Sequence, residues 1–210
     1  MKRTVILAIL LLSLSILAAC TAGISGDASA EKGLELYNEG KLTEAIEEFN
    51  KAIETGSSIY EMSDLYKALG NCYLDLDKYD EAIETYKKAV DEDDSSASAW
   101  VNLGVAYRQN GDLDGAEECY SKALEIDPEY AELHSSLGTL YIIKNEPEKA
   151  IEEFEKAIEL DRSLAVTFGN AALAYAMTGD FEKADELLKQ SIVLGYENAQ
   201  EIQKRIDMLQ

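Results

Sequence analysis

Only two prolines and three cysteines occur in 210 residues, which excludes a collagen-like or proline-rich chain and a small scaffold held by disulfides. Basic residues are scarce too. Lysine and arginine number 19 against 41 aspartates and glutamates, a formal charge of -22, and such a chain is poorly equipped to release the counterions that drive phosphate binding. No nucleic-acid partner is expected. There is one histidine, His134, and no glycine-rich phosphate loop, metal-ligand cluster or nucleophile motif accompanies it. Neither catalysis nor a bound metal or cofactor is expected from this inventory. The hydrophobic fraction of 47% is enough to form a core.

The longest apolar run, Val5 to Ala19, is interrupted only by Ser13 and Ser15 and follows Lys2 and Arg3. It falls short of the roughly 20 residues that span a bilayer and has the layout of an export signal. It ends in Leu17-Ala18-Ala19-Cys20, which resembles the bacterial lipobox: a leucine, two small residues, then the cysteine to be modified. The resemblance implies cleavage before Cys20, diacylglycerol on its thiol and often an acyl group such as palmitate on the new amino terminus. Residues 1–19 are then a signal peptide and 20–28 the lipidated cysteine with a flexible tether. An ordinary signal peptide and a retained membrane helix are the alternatives. Two or more acyl chains hold a protein on a bilayer at about 0.8 kcal/mol per buried methylene, so membrane contact is expected through the lipid alone. Thr21 stands where some enterobacterial lipoproteins carry an inner-membrane retention aspartate. The expected location is the extracytoplasmic cell envelope, at the outer membrane in a cell that has two.

The remaining chain repeats itself. Ala82, Ala116, Ala150 and Ala184 are evenly spaced, and at the same interval run Gly70, Gly104, Gly138 and Ala172, then Tyr73, Tyr107, Tyr141 and Tyr175, then Tyr86, Tyr120, Phe154 and Leu188. An earlier copy, Gly33, Ala45, Phe49 and Ala52, precedes them by a longer interval, with three extra residues around Tyr60 to Met62. Within each copy the apolar period is helical, as in Ala150, Ile151, Phe154, Ala157 and Ile158, and no sheet is expected. Gly111, Asn145 and Gly179 suit a left-handed residue ending one helix, and Pro147 suits the first position of the next.

The pattern, clearest in Trp100, Leu103-Gly104, Tyr107, Gly111, Ala116, Tyr120, Ala123 and Pro128, resembles the tetratricopeptide repeat. This implies an all-α solenoid of about five helix-turn-helix units over 29–198. Over 199–210 a capping helix is expected, with Ala199, Ile202, Ile206 and Leu209 as its apolar stripe. Trp100 is expected to be buried deeply enough that its loss opens a cavity.

In this family the first helix of each unit lines a groove that usually takes a segment of another protein. The groove rows read Lys67, Val101, Ser135 and Gly169, then Asn71, Val105, Thr139 and Leu173, then Leu74, Arg108, Ile142 and Ala176. The candidate contacts are Lys67, Asn71, Asn102, Val105, Arg108, Thr139, Ile142, Asn170, Leu173 and Met177, polar toward the N-terminal half and apolar toward the C-terminal half. Lys67, Asn71 and Asn102 match part of a carboxylate clamp, but Glu132 and Ser136 stand where its lysine and arginine belong. Acidic residues such as Glu117, Glu118, Glu152 and Glu153 fall on second helices and read as a solvated face. His134 fills the slot of Tyr66, Trp100 and Phe168, a packing position. Cys72 and Cys119 are expected to be buried thiols. The first reading is a lipid-anchored adaptor that binds a protein or peptide. A pilotin-like or envelope-assembly lipoprotein is the second, a glycan-binding protein or enzyme the third.

Overall fold

The computed structural model describes residues 26–210, and among them every regular element is a helix. The chain is helical over 26–38, here α1, and then in α2 (Leu42–Thr55), α3 (Met62–Asp75) and α4 (Tyr79–Glu92). After Asp94 follow α5 (Ala97–Gln109), α6 (Leu113–Ile126), α7 (Ala131–Ile143), α8 (Pro147–Leu160), α9 (Ala165–Met177), α10 (Phe181–Val193) and α11 (Ala199–Asp207). The helices up to Asp94 form one unit and those from Ser95 a second. The export signal and Cys20 lie outside the described residues.

The turn inside each pair has one cause. Asp77, Gly111, Asn145 and Gly179 adopt φ of 57°, 86°, 57° and 87°, and each throws the next amide back onto the preceding helix. Lys78, Asp112, Glu146 and Asp180 donate to the carbonyls of Tyr73, Tyr107, Tyr141 and Tyr175 at 2.9, 2.9, 2.8 and 3.0 Å. These closures satisfy helix-end carbonyls that would otherwise lack partners. The second helix then starts on a cap in two pairs, Asp112 accepting from Gly115 N at 2.9 Å and Asp180 from Lys183 N at 3.0 Å, and Pro147 opens α8.

Within a pair the two helices meet where a side chain is missing. A Cβ placed on Gly104 would stand 2.5 Å from Cε1 of Tyr120, one on Gly70 2.6 Å from Cε1 of Tyr86, and one on Gly138 2.6 Å from Cδ1 of Phe154. Each ring fills the space that a side chain on the glycine would take. Tyr86, Tyr120 and Phe154 are fully buried, each contributing on the order of 1.5–3 kcal/mol. The last pair changes both partners together: Ala172 replaces the glycine and Leu188 the ring, and both stay buried. The smaller side chain leaves room for the added methyl.

Helix α11 begins one full repeat interval after α9 and packs against α9 and α10. Ala199, Ile202 and Ile206 enter the same core as Ala172, Leu173 and Leu188. It therefore occupies the place of a further first helix, while Glu201, Lys204 and Arg205 stay exposed.

Three expectations change. Leu209, placed in the apolar stripe of the capping helix, lies past the end of α11 and is 45% exposed. Residues 26–28, assigned to the tether, are already helical, because Asp27 is 8% exposed and tied down. Its Oδ1 accepts from Ser57 Oγ at 2.5 Å and Ser58 N at 2.8 Å, and its Oδ2 from Ser58 Oγ at 2.5 Å. These serines precede the three-residue insertion and hold its loop onto α1. Trp100 is only half-buried at the edge of the α5–α7 core, so its truncation leaves no closed cavity.

Candidate functional site

In the second unit the first helices form a row: α5 packs on α7 and α7 on α9. Their shared face follows from the pairing, since the positions facing α6, α8 and α10 are the glycines and aromatics already described. Asn102, Val105 and Arg108 lie on α5, Thr139 and Ile142 on α7, and Asn170 and Met177 on α9, all half-buried. Ile143, at the end of α7, is 48% exposed.

Polar side chains join two members of the row. Asn170 Nδ2 donates to Thr139 Oγ1 at 3.2 Å, and Thr139 Oγ1 donates to the Ser135 carbonyl at 2.9 Å. Beneath them Thr167 Oγ1 donates to Ser135 Oγ at 2.8 Å in a fully buried contact. These bonds fix α9 against α7 and orient Asn170.

Leu173 departs from its expected role. It is 3% exposed and belongs to the core that α11 completes, because α11 covers the slot that an open array end would present. Within this unit the first row is also closed: Val101 and Ser135 are buried, and the Tyr196 ring lies over Gly169, where a Cβ would be 2.6 Å from Cε1. The usable face is thus Asn102, Val105, Arg108, Thr139, Ile142, Asn170 and Met177.

In the first unit Lys67 and Asn71 lie on α3, both half-buried. Lys67 Nζ is 2.8 Å from Asp64 Oδ1. Asn71 Oδ1 accepts the Tyr86 hydroxyl at 2.5 Å, so the carbonyl side of that amide is committed to the protein.

The counterpart of this bond in the next repeat is missing. Tyr120 holds the slot of Tyr86 there, but Val105 holds the slot of Asn71 and offers no acceptor. The Tyr120 hydroxyl and Arg108 Nε are both buried. Burial pushes the Tyr120 phenol above its ordinary pKa, while the adjacent Arg108 guanidinium and Ser136 hydroxyl draw it down.

His134 is more than a packing residue. It is 1% exposed, with Nδ1 2.6 Å from Glu153 Oε2 and Nε2 2.9 Å from the Pro128 carbonyl. Both ring nitrogens thus face oxygen atoms of the protein. The imidazole pins the α6–α7 loop to α8, away from the row's named contacts. Cys72 and Cys119 are buried and not disulfide-linked, and burial pushes the Cys72 thiol up to about 11. Among the described residues no cluster of three or more histidine, cysteine, aspartate or glutamate side chains is arranged to hold a metal. No helix among them is long and apolar enough to cross a membrane.

Comparison with known families places this geometry. The model of the Cilia and flagella-associated protein 70 C-terminal domain matches residues 14–133, and tetratricopeptide repeat models match 107–166 and 165–190. The chain belongs to the tetratricopeptide-repeat family. Photosystem I assembly protein Ycf3 of Synechococcus sp. (strain CC9605) is 30% identical over 79 residues, which are 38% of this chain and 46% of that protein. The chain thus spans about half the length of the curated relatives it matches. Among solved structures, MamA is 25% identical with a TM-score of 0.60, covering 85% of this chain and 96% of its own. YrrB, described as a TPR protein with an unusual peptide-binding site, is 24% identical with a TM-score of 0.55, covering 84% of this chain and 90% of its own.

Proposed function

We propose that the protein is a lipid-anchored, extracytoplasmic adaptor that binds a segment of another protein along α5, α7 and α9. The observation that carries this is the row itself: half-buried side chains, cationic or amide-bearing at Arg108, Asn102 and Asn170 and apolar at Val105, Ile142 and Met177, on helices held in register. A mixed face of this kind suits a polypeptide with one polar stretch and one apolar anchor. The fold shared with YrrB lends support. We read the protein as non-catalytic and without cofactor.

The anchor rests on Leu17-Ala18-Ala19-Cys20. It puts the body at the surface of an envelope membrane, the outer one where the cell has two, with nucleic acid disfavoured by the charge of -22. A second reading, an escort in the assembly of an envelope component, is favoured by the assembly role in the name of the Ycf3 relative. Photo-crosslinking separates binding through the row from binding elsewhere. A photoreactive residue at Val105 or Met177 captures a polypeptide, whereas one at Glu152 on α8 does not; equal capture at Glu152 contradicts the reading. Mass spectrometry tests the anchor: wild type carries diacylglycerol on Cys20 and Cys20→Ala does not, and an unmodified wild-type terminus overturns it.

A further inference from the structure

The helix pairs α5–α6, α7–α8 and α9–α10 compare slot by slot, and the last changes character along one edge. Val193, the last residue of α10, stands where the two preceding pairs carry Glu125 and Glu159. Lys189 stands where they carry Ser121 and Glu155, and Arg162, in the loop before α9, where they carry Asp94 and Pro128. Gln190 gives up the charge of Lys122 and Lys156. These four slots therefore carry a net charge of -1 in each preceding pair and +2 in the last, within a chain of formal charge -22.

The same edge is apolar where solubility asks for polar groups. Ile192, Val193 and Leu194 follow one another and are 56%, 86% and 41% exposed. The outer face of a terminal repeat ordinarily carries polar residues that keep the array soluble, and three consecutive exposed apolar side chains are a liability unless they serve a contact. They border an open cleft of about 320 Å³ lined by Arg162, Phe168, Lys189, Gln190, Val193 and Leu194. Phe168 is buried and belongs to the core, so it makes a fixed aromatic floor, while Arg162 and Lys189 stay exposed. Lys189 reaches back to Asp185 on its own helix, with both side chains in solvent. Such an exposed pair is worth little and yields readily to another carboxylate. The volume falls at the lower end of clefts that take ligands, roughly 300–1,000 Å³.

We propose that this edge of the α9–α10 pair docks an acidic segment of another polypeptide, with an aliphatic side chain of that segment in the cleft over Phe168 and its carboxylates beside Arg162 and Lys189. Charge complementarity selects the occupant: cations are added, and the glutamate is removed, at the slots where the preceding pairs repel an acidic chain. A bilayer is the poorer match, because a cleft admits a projecting side chain and a body of charge -22 is repelled by anionic headgroups. A second copy is the poorer match as well, since two bodies of this charge repel each other. The edge shares no residue with the row on α5, α7 and α9, so it is a second docking surface, independent of the first, and lets one protein hold two chains at once.

The test uses purified protein and three acetylated, amidated peptides on one alanine and glutamine background, with central Glu-Leu-Leu-Glu, Lys-Leu-Leu-Lys or Glu-Ala-Ala-Glu. Binding is read from the Val193 and Leu194 methyl peaks in NMR titrations. The Glu-Leu-Leu-Glu peptide moves these peaks. It binds about fivefold or more tightly than the lysine peptide, as expected for exposed charge pairs, and about tenfold or more tightly than the alanine peptide, as expected for a buried leucine. Arg162→Glu loses the preference for the acidic over the basic peptide. Val193→Glu, which restores the residue type of Glu125 and Glu159 at a position already in solvent, weakens the acidic peptide about tenfold, read from the Leu194 methyls, while circular dichroism reports an unchanged fold. Four results each overturn the proposal: no movement of the peaks with any peptide, equal binding of the acidic and basic peptides, peaks that move with protein concentration alone and so report a second copy, or peaks that broaden with vesicles of equal parts phosphatidylcholine and phosphatidylglycerol while the peptides stay silent.

Discussion

Replacing Gly104 by alanine places a methyl carbon 2.5 Å from Cε1, 2.8 Å from Cδ1 and 3.1 Å from Cζ of Tyr120. Carbon atoms normally approach to about 3.5–4.0 Å, so the ring or the helix must retreat by about 1 Å within a core that has no slack. Overpacking of this kind costs about 1–3 kcal/mol, while alanine recovers about 1 kcal/mol of helix propensity. The net expectation for Gly104→Ala is a loss of up to about 2 kcal/mol. Tyr120→Leu removes ring volume and costs about 2 kcal/mol on its own through the cavity it leaves. Together the two reproduce Ala172 with Leu188, the combination already present in the last pair. The double variant is therefore expected to be more stable than the sum of the single losses predicts, by about 1 kcal/mol, since contacting residues couple on this scale. Urea denaturation followed by helical circular dichroism gives all four corners of the cycle. Strict additivity, or a Gly104→Ala protein as stable as wild type, refutes the idea that ring and glycine set each other's size.

Further expectations follow from single residues. Ser57, Ser58 and the Ile59 amide hold the Asp27 carboxyl down to about 2. Its contribution to the first unit is therefore complete above the ordinary carboxylate range near 4 and lost as pH falls toward 2; Asp27→Asn should flatten the acid limb of the unfolding profile over that window, and an unchanged limb contradicts the assignment. The Cys72 thiol, pushed up to about 11 by burial, should resist alkylation at neutral pH in the native protein and react at an ordinary rate in denaturant, with rapid native labelling the contrary result. His134→Phe should fit the slot that Phe168 fills in the next repeat, yet destabilise by about 1–3 kcal/mol because the Pro128 carbonyl and Glu153 lose the imidazole they face; a neutral melt would return His134 to a packing role.

Much of the fold was legible from spacing because each slot has one physical demand. Glycine at Gly70, Gly104 and Gly138 marks helix contact, and Gly111, Asn145 and Gly179 mark the left-handed turn. Asp77 fills the same turn without a recognisable signal, since aspartate is ambiguous between caps, turns and solvent-facing positions. The row on α5, α7 and α9 could be named from the repeat, but its accessibility could not. Leu173 has the sequence position of a ligand contact and the burial of a core residue, because α11 supplies the neighbouring helix. The three-residue insertion was visible as a lengthened interval, whereas its function of presenting Ser57 and Ser58 to Asp27 depends on contacts between segments far apart in the chain.

Amide hydrogen exchange, with and without a polypeptide captured through Val105, tests the central claim most directly. Protection gained along α5, α7 and α9, with α6, α8 and α10 unchanged, is the predicted result. Protection confined to the second helices, or none on the first, contradicts it.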